Sequence, residues 1–357
     1  MINAGGAFPL PKKTVISKMS SSKKRTVYTY PLRENTVLKL LTYLLLRKYD
    51  GLFSDGLYSF RPGKTAKDAV RKLMRIKGIR QMYSYKVDIH NYFNSVPVEK
   101  FLPILQDALS DDQRLFSFLS SLLTEPRVID HGKEITEQKG IMAGTPLSAF
   151  YANLYLRGLD SHFEEAGVPY ARYSDDIILF AETEEELQKH ARYVKSYLFD
   201  FGLTVNPDKE CFATPSDGFT FLGFYCSQSE IDIAPATVKK LTGKMRRKTH
   251  ALMRWRKRNG LSGEKAAAAF IRIFNRKLLD HGDDNELTWS FWFFSVINTT
   301  KSLHQIDLYA QDCIRYLVSG KRTKARYNVR YEDLKALGYK SLVHEYYAFS
   351  DKKDENG

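Results

Sequence analysis

The sequence is poor in cysteine and in long apolar runs, and each shortage excludes a class of protein. The three cysteines are scattered and odd in number, which excludes a disulfide framework and a cysteine-based zinc site. No run of about 18 apolar residues occurs, so we expect no membrane-spanning helix and no membrane partner. The N-terminus lacks the charged start and apolar core of a signal peptide. We therefore expect a reducing, cytoplasmic location.

Acidic residues are also in short supply. Lys and Arg number 55 against 41 Asp and Glu, which leaves a formal net charge of +14. Such a balance indicates a polyanionic partner, with nucleic acid ahead of an anionic membrane. The chain has 357 residues, with 22 Tyr and 22 Phe, which is enough for a large core and two or three subdomains.

Two adjacent acids, Asp175 and Asp176, organise the chain. They lie between Tyr173 and the apolar run at residues 177–180, which reads as a buried strand. The pattern predicts a β-hairpin whose turn carries two carboxylates. Such carboxylates repel each other, and a divalent cation relieves the repulsion. A solvated surface turn is the alternative, but the aromatic and core residues on its flanks favour a metal turn.

A second acid stands at the end of another predicted strand. Residues 85–89 alternate as a strand that ends near Asp88. Asp88 could be a turn or N-cap acid. It could equally be a metal ligand aimed at the same point as Asp175 and Asp176. Three carboxylates from two strands suit one or two Mg²⁺ ions.

Basic and glycine-containing segments surround these acids. Residues 1–34 predict a hairpin with a basic tip that suits triphosphate oxygens. Arg61 and Lys64 precede a helix predicted at about 65–76 and could meet a phosphate backbone there, or be solvated. In the loop at 139–148, Gly140, Ala143 and Gly144 permit the close approach of a flat ligand such as a base pair, or form an ordinary loop.

The composition shifts at about residue 232. Between residues 235 and 280 there are 14 Lys or Arg residues against two acids, on helices predicted at 239–258 and 264–279. A basic helix pair of this kind can hold a duplex backbone. The candidate nucleic-acid contacts on the first helix are Arg246, Arg247, Lys248, Arg254, Arg256 and Lys257.

Six motifs, in order, resemble those of prokaryotic reverse transcriptases, the group that includes group II intron and retron enzymes. The Tyr-Ser-Asp-Asp of residues 173–176 resembles the family's Tyr-x-Asp-Asp box. The resemblance is strong over residues 10–230 and looser to about 345. The other motifs lie at residues 58–63, 88–93, 140–148 with 152–155, 202–209 and 221–224.

The resemblance implies an α+β right-hand polymerase with fingers, a palm of antiparallel sheet plus helices, and a mainly helical thumb. It places the fingers at 1–85, with the basic hairpin at 1–34. The palm follows at 86–232, with inserted finger helices at 99–139. A basic helical thumb at 233–300 and a helical extension at 301–349 complete the expected organisation. The polar composition of residues 350–357 predicts a disordered tail.

The resemblance also implies site roles. Asp88 and Asp175 would hold two Mg²⁺ ions, or Mn²⁺, helped by the Ile89 carbonyl and with Asp176 beside them. The remaining expected residues are Lys18 and Arg25 as a triphosphate clamp, Phe93 as a steric gate against ribose, Lys209 as the acid that protonates pyrophosphate, and Ala143 and Gly144 near the incoming nucleotide. Many relatives carry Gln where this chain has Ala143.

The activity implied is RNA-directed DNA synthesis, with dNTPs as substrates, an RNA template, a DNA product and a stand-alone role in antiphage defence. A dedicated non-coding RNA, a homo-oligomer and a partner protein stay open as partners. The alternatives are a template-independent or unusually templated nucleotidyltransferase and a non-catalytic, maturase-like RNA-binding protein.

Overall fold

The computed structural model describes residues 8–17, 24–280 and 288–355, and confirms the predicted α+β class. The chain divides into two compact units, residues 1–217 and 218–357. In the part of the chain that is described, no helix has the length and apolar character needed to cross a membrane.

The strands and helices follow each other along both units. The strands are β1 (Lys12–Ser17), β2 (Lys24–Thr29), β3 (Tyr83–Asp88), β4 (Arg127–Asp130), β5 (Lys133–Thr136), β6 (Tyr170–Tyr173), β7 (Asp176–Ala181), β8 (Cys211–Ala213), β9 (Phe219–Phe221), β10 (Phe224–Cys226) and β11 (Ile231–Ile233). The helices are α1 (Leu32–Lys48), α2 (Ala66–Arg75), α3 (Tyr92–Ser95), α4 (Val98–Ala108), α5 (Gln113–Thr124), α6 (Ser148–Tyr155), α7 (Arg157–Glu165), α8 (Glu184–Asp200), α9 (Pro235–Arg258), α10 (Gly263–Leu278), α11 (Trp289–Phe294), α12 (Lys301–Ser319), α13 (Tyr331–Ala336) and α14 (Leu342–Glu355).

The N-terminal hairpin has the form that the sequence predicts. β1 and β2 pair antiparallel, with Lys12 opposite Thr29. Its basic tip, which includes the expected clamp residue Lys18, lies outside the described residues. β4 and β5 extend this sheet to the order β2-β1-β4-β5, and the β1–β4 contact is parallel at Lys12 and Ile129.

The helices of the first unit begin and end at local signals, two of which the sequence analysis missed. α1 begins at Leu32, directly after Pro31 and without a side-chain cap. Proline suits this boundary because its fixed φ is compatible with the first turn. The predicted finger segment at 99–139 contains two separate helices, α4 and α5. The Asp112 side chain begins the second of them by accepting from the Leu115 N–H at 2.9 Å.

A four-stranded antiparallel sheet, in the order β6-β7-β3-β8, carries the acidic residues. β7 is buried from Ile177 to Ala181. It contacts α8, and Ile177, Leu179 and Ala181 belong to the core cluster of the first unit. β3 lies between β7, which pairs with it as far as Asp88, and β8, which pairs with it as far as Lys86. The predicted strands at 85–89 and 177–180 are confirmed.

The second unit joins a small sheet to a set of helices. β9, β10 and β11 pair antiparallel, and the motif at 221–224 lies at the turn between β9 and β10. Contacts place this hairpin with the helices that follow it, whereas the sequence analysis set the palm boundary at residue 232. The names fingers, palm and thumb for particular segments remain predictions. The sequence analysis predicts a disordered tail from residue 350. That prediction is wrong for residues 350–355, because α14 continues to Glu355.

Candidate active site

The pairing of β3 with β7 sets Asp88 directly opposite Asp176. The Ile89 N–H then donates to the Asp175 carbonyl at 3.1 Å, which ties the end of β3 to the acidic turn. This turn is the two-residue connection between Tyr173 and Asp176, which pair across the hairpin. Ser174 takes a φ of +61° in it, as two-residue hairpin turns require at their first central position. The geometry therefore brings the three predicted acids to one end of the sheet.

Burial and mutual repulsion dominate the electrostatics of the acids. Burial, reinforced by the charge of Asp88, raises the pKa of Asp175 above its usual range. Burial also raises the pKa of Asp176 to about 6, although Lys86, 3.9 Å away, opposes the shift. The protein therefore leaves the ionised forms of Asp175 and Asp176 incompletely stabilised, although cations lie near them.

Among the described residues, Lys209 is the cation closest to one of the three acids. Its Nζ forms an ion pair with the Asp88 carboxylate. The Asn206 side chain donates to the other Asp88 oxygen at 3.3 Å, and the Asn206 N–H donates to the Asp88 carbonyl at 2.8 Å. Asn206, which the sequence analysis did not single out, caps the 3₁₀ turn that carries Lys209. Lys209 therefore contacts an acid, and its expected role toward pyrophosphate stays a prediction.

The donor set suits a divalent cation in kind. Carboxylate and carbonyl oxygens are the ligands that Mg²⁺ prefers. Within residues 8–17, 24–280 and 288–355, however, no group of three His, Cys, Asp or Glu side chains is arranged to hold a metal ion. The predicted three-carboxylate centre is therefore not assembled in this conformation, in which Lys209 contacts Asp88. A cation at Asp88 would exchange with that ammonium group.

Arg25 and Phe93 lie beside the acids. The Arg25 guanidinium lies over the Phe93 ring, 5.8 Å from its centroid, and its charge acts on Asp175. Asn94, a further residue that the sequence analysis missed, holds this region together. Its side chain donates to the Thr26 carbonyl at 3.1 Å and accepts from the Ala143 N–H at 3.0 Å. β2, α3 and the loop at 139–148 are therefore linked through one amide.

The small residues of that loop are required by packing against the chain itself. A Cβ on Gly140 would lie 2.5 Å from the Phe93 carbonyl oxygen, and one on Gly144 would lie 3.0 Å from the Tyr28 carbonyl oxygen. Ala143 is buried, and its carbonyl accepts from the Tyr28 N–H at 2.7 Å. The interpretation that these positions are small to admit a base pair is therefore wrong for Gly140 and Ala143. Gly144 keeps an exposed side.

Gly140→Ala is expected to lower the free energy of unfolding by about 3 kcal/mol or more, because the methyl group meets backbone atoms and the φ of +54° disfavours a side chain. Gly63→Ala is the matched control, since Gly63 has a φ of +69° but no atom within 4 Å of the added carbon. That control is expected to cost about 1 kcal/mol. Urea unfolding measures both, and equal losses would contradict the packing argument.

The basic residues near the second motif are engaged inside the first unit. Arg61 is buried and binds the Asp50 carboxylate through two nitrogens, at 2.7 and 3.0 Å, and the Ser54 carbonyl at 2.6 Å. Its expected contact with a phosphate backbone is therefore wrong, because its donors are used by the protein. Lys64 pairs with Asp55 at 2.9 Å, on the surface.

The basic face of α9 lies in the second unit. Val238, Met245, Leu252 and Met253 are buried on one side of this helix. Arg256 is partly used by the fold, since it donates to the Leu317 carbonyl at 2.9 Å. The other predicted nucleic-acid contacts are all exposed: Arg246, Arg247, Lys248, Arg254 and Lys257.

Comparisons with known proteins agree with this geometry. A family model described as reverse transcriptase (RNA-dependent DNA polymerase) matches residues 10–226. The chain is 25% identical over 160 residues to the Retron Ec86 reverse transcriptase of Escherichia coli. The aligned region covers 43% of this chain and 48% of that protein. It is 27% identical over 154 residues to an uncharacterized 91 kDa protein in a cob intron of Schizosaccharomyces pombe, covering 43% of this chain and 18% of that protein. The chain thus spans less than half the length of these curated relatives.

Solved structures with a similar fold include telomerase from Candida tropicalis. The apo enzyme aligns with a TM-score of 0.51 and 13% identity, covering 94% of this chain and 70% of that chain. The same enzyme in complex with a TWJ fragment of telomeric RNA aligns with a TM-score of 0.52 and 12% identity, covering 92% and 63%. At such identities the likeness shows a shared polymerase fold.

Proposed function

Because the chain belongs to the reverse transcriptase (RNA-dependent DNA polymerase) family, we propose that it adds dNTPs to a primer end on an RNA template. The observation that carries this proposal is the set of three acids at one end of the β6-β7-β3-β8 sheet, with Asp88 opposite Asp176 and Asp175 in the turn. A structural or purely RNA-binding protein has no need for neighbouring, partly buried acids whose pKa values are raised chiefly by burial, with their mutual repulsion adding to the shift.

Two divalent ions, Mg²⁺ or Mn²⁺, would be held by Asp88, Asp175 and the Ile89 carbonyl, with Asp176 beside them. When bound, such ions make the primer 3′-hydroxyl more acidic and stabilise the charge on the leaving pyrophosphate. The raised pKa values of Asp175 and Asp176, and the position of Asp88 directly opposite Asp176, support this assignment.

The protein's own groups have separate tasks in the proposed reaction. Arg25, on β2, would neutralise triphosphate oxygens together with Lys18. Phe93 would fill the space that a ribose 2′-hydroxyl needs, and thereby favour dNTPs. Lys209, released from Asp88, would donate a proton to pyrophosphate. The exposed cations of α9 would contact the nucleic-acid backbone without reading its sequence.

The proposal is tested by primer extension. Purified protein is incubated with an RNA template, a DNA or RNA primer, Mg²⁺ and either dNTPs or NTPs, and products are resolved on a denaturing gel. Extension that follows the template and requires dNTPs is the expected result. Equal extension without a template would favour the template-independent alternative. RNA binding without any incorporation would favour the maturase-like alternative.

We also propose a stand-alone, cytoplasmic role in antiphage defence. Its support is the similarity to a bacterial reverse transcriptase. Phage plating on bacteria that express the chain tests the role. Plaque numbers are expected to fall with the wild-type protein and to recover with Asp175→Asn. Equal plaque numbers for the two would overturn it, whether or not extension occurs in vitro.

A further inference from the structure

One exposed aromatic ring beside the acidic turn is unexplained by packing. Phe60 keeps 41% of its surface exposed and has a φ of +58°, in the left-handed region that bulky residues rarely adopt. Its ring lies 6.5 Å from that of Tyr173, two residues before Asp175. A strained backbone that displays an aromatic side chain at an active site is a signature of function.

The neighbours of Phe60 explain how this conformation is maintained. On one side, Ser59 is fully buried and exchanges two hydrogen bonds with the Asn153 side chain, at 2.9 and 2.7 Å. On the other side, Arg61 is anchored to Asp50. Since both neighbours point into the protein, the residue between them has to turn outward, and glycine would do so with less strain.

A short parallel contact with β6 directs this segment toward the acids. The Tyr58 N–H donates to the Arg172 carbonyl at 2.9 Å, and the Arg172 N–H donates to the Gly56 carbonyl at 2.8 Å. The segment at 56–58 therefore runs alongside β6 in the same direction. Its continuation brings Phe60 level with Tyr173, at the start of the turn.

We propose that the Phe60 and Tyr173 rings form a stacking surface for the last nucleotide of the primer. The inference rests on the proposed function, because it is the primer 3′-hydroxyl that must reach Asp175. Tyr173 is only two positions before Asp175 in the chain, so the nucleotide that carries this hydroxyl would lie next to the Tyr173 ring. Stacking on aromatic rings holds a base without regard to its identity, which suits an enzyme that extends every sequence.

The test measures binding separately from catalysis. Affinity for a primer–template duplex is measured by fluorescence anisotropy without dNTPs, for wild type, Phe60→Gly and Phe60→Tyr. Phe60→Gly is expected to weaken binding by about fivefold or more, with a melting temperature within about 2 °C of wild type, because relief of backbone strain offsets lost packing. Phe60→Tyr is expected to bind as wild type does. Phe60→Asn, which tolerates the left-handed region, replaces Phe60→Gly if that variant does not fold.

A control variant and a fluorescent base at a chosen position distinguish stacking on the primer end from a general loss of binding. Phe199→Ala removes a ring that is 76% exposed on α8, and binding is expected to stay unchanged. A 2-aminopurine at the primer 3′ end should lose quenching in Phe60→Gly, whereas one in the template overhang should not. Unchanged affinity in Phe60→Gly, or a response only from the overhang, would overturn the inference. Failure of wild-type protein to incorporate dNTPs would instead overturn the proposed function, so the two failures are distinct.

Discussion

Asp175→Asn is expected to reduce dNTP incorporation by about a thousandfold or more while the protein stays folded. The metal ions that this carboxylate would hold contribute several kcal/mol of stabilisation to the transition state, and about 1.4 kcal/mol corresponds to a factor of ten in rate. Asn keeps the shape of the side chain but removes the charge that binds a divalent cation. The measurement is single-nucleotide extension on a saturating primer–template.

Stability is expected to move in the opposite direction from activity. Because burial and Asp88 raise the pKa of Asp175, its ionised form is less favourable in the folded chain than in the unfolded one, and Asn removes that cost. The backbone bond from the Ile89 N–H to the residue 175 carbonyl is unaffected by the substitution. The melting temperature of Asp175→Asn is therefore expected to equal or exceed that of wild type.

Asp200→Asn is the matched control, because Asp200 is an exposed acid at the end of α8. The same chemical change at this position is expected to leave incorporation unchanged. An Asp175→Asn protein that incorporates within tenfold of wild type would exclude the assigned role. A folded, inactive Asp175→Asn with an active Asp200→Asn would support it.

The sequence alone predicts the two strands that end at the acids, because a strand is recognised from the pattern of apolar residues within a few neighbouring positions. Alternation predicts β3, the apolar run predicts β7, and the pairing of the two then brings Asp88 opposite Asp176. The sequence does not, in contrast, predict which group a basic residue binds. Arg61 binds Asp50, eleven positions away, and no local pattern distinguishes that ion pair from a phosphate contact.

Glycines and small residues are ambiguous for a related reason. The sequence shows that the loop at 139–148 needs small residues, but the atoms that require them come from distant segments: Phe93 against Gly140, and Tyr28 against Gly144. The same holds for Asn94 and Asn206, whose amides link segments far apart in the chain. Such contacts depend on tertiary packing between distant segments, and no local pattern in the sequence reveals them.

Arg172→Met is expected to cause a large loss of stability. Arg172 is fully buried, and its guanidinium binds the Asp160 carboxylate through two nitrogens, at 2.7 and 2.5 Å. Removing it leaves the buried Asp160 with the Tyr170 hydroxyl, at 2.8 Å, and no counter-charge. Breaking a buried pair in this way costs about 3–5 kcal/mol. Urea unfolding of the wild-type and variant proteins measures the loss.

The same guanidinium supports the acidic turn. Arg172 Nη1 donates to the Ser174 carbonyl at 3.3 Å and to the Ala152 carbonyl at 3.4 Å, and Nη2 donates to the Asn153 carbonyl at 3.1 Å. These bonds join α6 to the residue before Asp175, so Arg172 is a positioning residue rather than one that touches substrate. A variant that keeps the fold but lacks these donors is expected to extend primers more slowly, with little change in primer affinity.

The double variant Arg172→Met with Asp160→Leu separates the two effects. Since it buries no unpaired charge, it is expected to be more stable than Arg172→Met alone, which makes the two substitutions strongly non-additive. Incorporation should stay below wild type because the Ser174 carbonyl still lacks its donor. Arg127→Met is the control, because it breaks the exposed pair with Glu125 and is expected to have little effect. Additive losses at 172 and 160, or full activity in the double variant, would contradict the proposed link between the buried pair and the turn.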